Sequence, residues 1–164
     1  MADYQDTVVD TIINLLKANL PDGYFKKYFY GDPLDIPTSY LPCVMVSKKT
    51  TNISQGPTQK DLLQYAIFIQ LAYNKRNDFG KSPDEVVGVR ALEQYAEGRD
   101  PTTGQYSINS VAGILRVNFT MGNIIIDQNL DINYGIVPRP NKLITAECQI
   151  KATMKEYVYV PSRT

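Results

Sequence analysis

The chain contains no histidine. That removes the Ser-His-Asp and Cys-His machineries, the commonest general base, and most zinc and iron sites. Carboxylate, lysine, tyrosine and cysteine chemistry remain. Asp127 and Asp131 stand four apart in a stretch of alternating polarity, so both fall on one face of a strand. Two such carboxylates could work as acid and base, or hold a cation. Asn129 and Asn133 share that face, however, and the pattern runs past both aspartates. A solvated or interface-facing surface accounts better for it. Asp84 and Glu85 have a sufficient task in starting a helix, where negative charge favours the dipole.

Cys43 and Cys148 sit inside apolar stretches, with no CxxC spacing. They read as two small buried thiols of a reducing compartment, in preference to a disulfide. Neither a P-loop nor a GxGxxG motif occurs, so there is no phosphate cradle. The run Tyr24-Phe25-Lys26-Lys27-Tyr28-Phe29-Tyr30 could stack bases in a single-strand binder. The rest of the chain lacks the basic groove such a role needs. Tyr24, Phe25, Tyr28 and Tyr30 are better read as core and interface aromatics, since such residues enrich protein interfaces. Lys48-Lys49-Thr50-Thr51 and Arg76 stand near the expected ends of neighbouring strands, as partner contacts or as ordinary solvated ends. No catalytic, metal or cofactor signature is present, and the chain is expected not to be an enzyme.

The elements that would position these residues follow from periodicity. The chain has 164 residues with 43% hydrophobic and 21% charged composition, enough for one domain, 1–164, with a real core. Seventeen basic residues balance seventeen acidic ones, without the surplus expected of a phosphate-gripping protein. The polar, acidic start lacks the form of a signal peptide, and no run approaches the ~18 apolar residues that span a bilayer. A cytoplasmic protein, or one carried inside a larger particle, is expected, with no membrane partner.

Residues 4–20 carry an apolar stripe at helical spacing, closed by Pro21-Asp22-Gly23. Residues 24–30 and 41–50 read as strands, 52–57 as turn material, and 60–75 as a long strand. Ser82-Pro83-Asp84-Glu85 is a capping box with proline at the first helical position, opening a helix that Gly98 closes. Residues 107–116 suit a shorter helix. From Ile124, alternate positions to Ile136 are mostly apolar. After a turn at Pro138-Arg139-Pro140-Asn141, Ile144 to Met154 repeat the pattern. The opposite face, Thr145, Glu147, Gln149, Lys151, Thr153 and Lys155, reads as wet. The expected fold is α+β: a mainly antiparallel sheet with long hairpins and two to three helices packed on it. Such hairpins outrun the core of a small domain, so their far end must bury its apolar face on another chain.

This order of features resembles the tail terminator and related head–tail joining (neck) proteins of tailed bacteriophages. The segments that carry the likeness are Leu41-Pro42-Cys43-Val44-Met45-Val46, Leu71-Ala72-Tyr73-Asn74-Lys75-Arg76, Ser82-Pro83-Asp84-Glu85, 100–106, 110–116, 134–140 and Tyr157-Val158-Tyr159-Val160-Pro161. The resemblance implies a virion protein assembled in a bacterial host. It would form a homo-oligomeric ring, usually a hexamer, that caps the tail tube and meets the head connector. Tyr24, Phe25, Tyr28, Tyr30, Lys151, Thr153 and Lys155 would then contact subunits or partners. Asp127, Asn129, Asp131 and Asn133 would line a pore through which DNA passes without specific binding, the acids repelling phosphate. Two competing readings are another neck or tail-completion protein, and a small carboxylate-dependent enzyme or ligand-binding module. The enzyme reading requires that Asp127→Asn and Asp131→Asn abolish an activity.

Overall fold

The computed structural model describes residues 6–21, 23–81 and 88–161. The Ser82-Pro83-Asp84-Glu85 capping box and Asp22 lie outside the described residues. Element order is α1 (Thr7–Asn19), β1 (Lys27–Tyr30), β2 (Cys43–Gln55), β3 (Lys60–Asn74), α2 (Gly88–Glu97), α3 (Val111–Val117), β4 (Ile125–Arg139) and β5 (Leu143–Tyr159). The architecture is α+β. One five-stranded sheet runs in the order β1-β2-β3-β5-β4. Every pairing is antiparallel except that of β1 with β2.

Helix α1 begins where Asp6 accepts the Val8 and Val9 amides, satisfying donors the helix itself cannot. Its stripe, Val8, Val9, Ile12, Ile13 and Leu16, is buried. It packs with α3 over β1 and β2, while α2 lies over β3 and β5. All three helices cover one sheet face. The core there joins that stripe to Val44, Val46, Ile67, Ile69, Leu71, Cys148, Ile150 and Met154. Asp6 also meets Lys48 from β2, whose ammonium lies over the Tyr65 ring. The start of α1 is thereby tied to the sheet by charge as well as by apolar burial.

A second, smaller core lies on the opposite face. Ile36 and Leu41, from the segment joining β1 to β2, cover Cys43, Met45, Ala72 and Leu143. That segment is a strap over one end of an otherwise uncovered face. The β4–β5 turn passes through Asn141 and Lys142, both at left-handed φ, 63° and 61°. Asparagine tolerates this conformation; lysine adopts it because Arg139 and Leu143 pair across the turn.

Three expectations need correction. Strand β2 continues to Gln55, through the stretch read as turn, because it pairs with β3 out to Gln55 opposite Asp61. A bulge between Ile125 and Asp127 breaks the alternation of β4. It turns Ile125 into the core and leaves Ile126 exposed, so the apolar face does not run unbroken from Ile124. The face of β5 read as wet is buried at Thr145 and Glu147 and only half-buried at Gln149.

Replacing Asp6 by alanine removes the cap and leaves Lys48 without its carboxylate. A loss of roughly 1–2 kcal/mol is expected. Thermal melts should show Tm lowered by about 2–8 °C, with unchanged secondary structure by circular dichroism.

Candidate functional site

Cross-strand register brings most of the expected site residues onto one surface. On the face opposite the helices, Asp127 stands beside Lys155, Asn129 beside Thr153, Asp131 beside Lys151 and Asn133 beside Gln149. The next strand continues these rows with Gln64, Ala66, Phe68 and Gln70. The result is a ladder of alternating acid, amide and base, open to solvent. Asp127 and Lys155 form a loose exposed pair at 3.7 Å, a geometry that contributes little stability. Each acid has a lysine as its cross-strand neighbour, so within one copy this surface is close to neutral rather than acidic. Asp127 and Asp131 are four strand positions apart, roughly 13 Å, which is too far to share one bond or one cation.

The aromatic cluster divides. Phe25 is buried in the helix-side core, and Tyr24 packs on Tyr95 with ring centres 4.4 Å apart. Burial and the neighbouring Tyr95 push the Tyr24 phenol up to about 12. Phe25 is core, and Tyr24 is partly buried against it. Tyr28 lies against that core with Lys17 over its ring, and Tyr30 is exposed. Lys48 and Arg76, expected near one end of the sheet, lie apart. Lys48 holds Asp6, and Arg76 donates to the Lys142 carbonyl at 2.7 Å. Cys43 and Cys148 are both buried free thiols, pushed up to about 12 chiefly by burial, and so poor nucleophiles.

The strongest local electrostatics were not anticipated. Arg139, at the end of β4, is buried. Its Nε donates to Glu147 Oε2 at 2.7 Å and its Nη2 to Glu147 Oε1 at 3.0 Å. Nη1 and Nη2 donate to the two oxygens of Asp32 at 2.9 and 3.2 Å, and Nη1 also reaches the Leu34 carbonyl at 3.2 Å. The Thr145 hydroxyl donates to Glu147 Oε2. Burial alone would raise Asp32. The Arg139 guanidinium and the Leu34 amide outweigh it and hold the carboxyl below its usual range. For Arg139, burial opposes the charge, but the two carboxylates raise the guanidinium further above its ordinary value. The cluster clamps the strap to the sheet. Its donors and acceptors are occupied by one another, so its evident work is structural.

The third surface is an overhang. Strand β5 has 17 residues, roughly 55 Å of extended chain. Helix α1 has 13 residues, about 20 Å. The helices therefore cannot cover the sheet along its whole length. Strand β4 begins opposite Glu156, so beyond that level only β2, β3 and β5 continue. This three-stranded tongue carries Ile53, 67% exposed, with Val158 on the helix-side face, and Tyr157 with Tyr159, 74% exposed, on the other. The Lys60 ammonium lies 4.8 Å from the Tyr159 ring centre. The sequence had assigned the overhang to the β4–β5 hairpin. The turn end of that hairpin is instead the end held down by Arg139 and Arg76.

No protein-family model matches the chain, and a search of curated proteins finds no match. Among the described residues no helix is long and apolar enough to cross a membrane, and no group of three or more Cys, Asp or Glu side chains is placed to hold a metal ion.

Two outcomes test the clamp. Arg139→Met strands two carboxylates in the protein and should cost about 3 kcal/mol, a Tm drop of roughly 6–12 °C; adding Asp32→Asn and Glu147→Gln should recover most of it. Because Asp32 is depressed in the folded state, its contribution is full above the unfolded carboxylate value near ~4 and is lost as pH falls through the lower folded value. Urea titrations below pH ~4 should therefore show stability falling more steeply in the wild type than in Asp32→Asn.

Proposed function

We propose that the chain is a structural virion protein of a tailed bacteriophage: a ring-forming tail terminator that caps the tail tube and joins it to the head connector. The observation that carries this reading is the tongue. A sheet that projects past its own helices, with Ile53, Tyr157, Val158 and Tyr159 uncovered among the described residues, leaves apolar surface suited to burial by another protein. Interface aromatics with a lysine beside them, as at Tyr157, Tyr159 and Lys60, suit protein contact. A neck ring needs two further kinds of surface, and both have candidates here. One is a wet wall that lets DNA pass without holding it. The open ladder, Asp127, Asn129, Asp131 and Asn133 against Lys155, Thr153, Lys151 and Gln149, presents both signs of charge in alternation and no basic stripe. The other is a contact surface for tube and connector, for which the tongue is the candidate. The ring, six-fold by its likeness to terminators, and the placement in tail or neck follow from this reading.

The test is to add the purified protein to tail-tube subunits of the cognate phage as they polymerise, and to measure tube lengths by negative stain. Capping should give short tubes of uniform length with a ring at one end. Tubes of unrestricted length carrying no ring would overturn the terminator role; tubes of normal length that fail to accept heads when the protein is omitted would indicate a connector instead. Asp131→Asn and Asp127→Asn, on the open ladder, should change stability by no more than about 0.5 kcal/mol and leave the native mass unaltered.

A further inference from the structure

Two stretches of sheet edge are left without a partner strand among the described residues. One is the outer edge of β4, whose only strand partner is β5. The other is the outer edge of β2 past Val46, because β1 pairs with β2 only from Cys43 to Val46. Unpaired edges are surfaces for strand addition unless a protein blunts them. Blunting is confined to part of each: β4 has a bulge between Ile125 and Asp127 and Pro138 near its end, and β2 has Lys48, Lys49 and a bulge between Lys48 and Thr50, which leaves the middle of β4 and residues 50–55 of β2 without such a device.

We propose that these edges are the two halves of one junction between copies of this chain. The outer edge of β4 in one copy pairs with residues 47–55 of β2 in the next, and the sheet continues from subunit to subunit. Three observations favour a second copy as the occupant. Strand direction is right: β2, β3, β5 and β4 alternate, so β4 meets the next copy's β2 as one more antiparallel pair. Apolar surface matches by face. Ile53 of β2 and Tyr134 and Ile136 of β4, all exposed, stand on the helix side of the sheet. Finally, β1 limits the register. It fills the edge below Val46, so the neighbour's β4 cannot run its full length beside β2. Its C-terminal half fits above β1, whereas its N-terminal part is tied to α3 through Arg116, which donates to the Gln128 carbonyl at 3.0 Å. The junction is therefore staggered and uses two different surfaces. Head-to-tail contacts of that kind propagate until they close into a ring or extend as a filament.

The inference shares only self-assembly with the functional reading, and the experiment separates them. In one copy, Ile53 and Tyr134 lie on strands separated by β3 and β5, at least ~14 Å apart, beyond disulfide reach. Ile53→Cys combined with Tyr134→Cys or Ile136→Cys should therefore link only between copies, and the native thiols are buried. Mild oxidation of either double variant at concentrations up to about 1 mM should give a ladder of linked chains on a non-reducing gel, whereas Ile53→Cys alone should stop at dimers. Ile53→Lys, a change at an exposed side chain, should keep the wild-type melt while raising the half-assembly concentration at least about tenfold. A strict monomer, unlinked chains from both double variants, or undiminished assembly of Ile53→Lys would overturn the junction. Rings that form without these links leave the terminator reading standing and remove this interface. Linked copies that fail to cap tail tubes do the reverse.

Discussion

The two layers of this molecule meet at Arg139. Its guanidinium is the only cation described beside the buried carboxylate of Glu147, and it reaches across to Asp32 at the start of the strap. An isolated charge in that position would cost several kcal/mol, so the three groups are interdependent: each is tolerable only because the others are there. Without the clamp the strap has no charged anchor on the sheet, and Ile36, Leu41, Cys43, Met45 and Leu143 lose the cover that makes them a core. The helix side depends less on such a device: three apolar faces converge on it, and the Asp6–Lys48 pair ties only the start of α1. The molecule thus holds one sheet face by hydrophobic burial and one end of the other by a salt-bridged latch.

That asymmetry explains where the free surface lies. The strap closes the sheet at the end nearest the β4–β5 turn. The helices, from roughly a fifth to a third of the sheet's length, close its middle on one side. Nothing described closes the tongue, the polar ladder or the two edges. They form one connected region, and the residues in it differ sharply in kind: apolar at Ile53 and Tyr159, charged in alternation from Asp127 to Lys155, and backbone alone along the edges. A surface divided in this way suits several different contacts at once.

Much of this was legible in the residues themselves. Apolar periodicity located α1, and alternation located β5, because each rests on contacts repeated along one element. The fold class followed from those patterns. The errors share another cause. Asn52, Ser54 and Gln55 look like turn residues, yet β3 supplies the ladder that keeps them extended. Glu147 looks solvated by type; its burial depends on Arg139 in the next strand and on Asp32, 107 positions from Arg139. The bulge at Ile126 is a single-residue slip that no period-two pattern can express. For the candidate surface, the polar rows were readable as two separate strands. Their union into a near-neutral ladder was not, since that depends on register. Long-range pairing decides each of these points, and one chain's sequence does not record it.

The strand order has a consequence in time as well as in space. β5, the last strand along the chain, is not at an edge of the sheet; it lies between β3 and β4 and is hydrogen-bonded to both. Until residues 143–159 have left the ribosome, β3 and β4 have no common partner, Arg139 has no Glu147, and the core lacks Cys148, Ile150 and Met154. A chain interrupted before β5 can pair β1, β2 and β3 but cannot join β4 to them, and it lacks the clamp and the β5 part of the helix-side core. The arrival of β5 is what turns two separate pieces into one sheet.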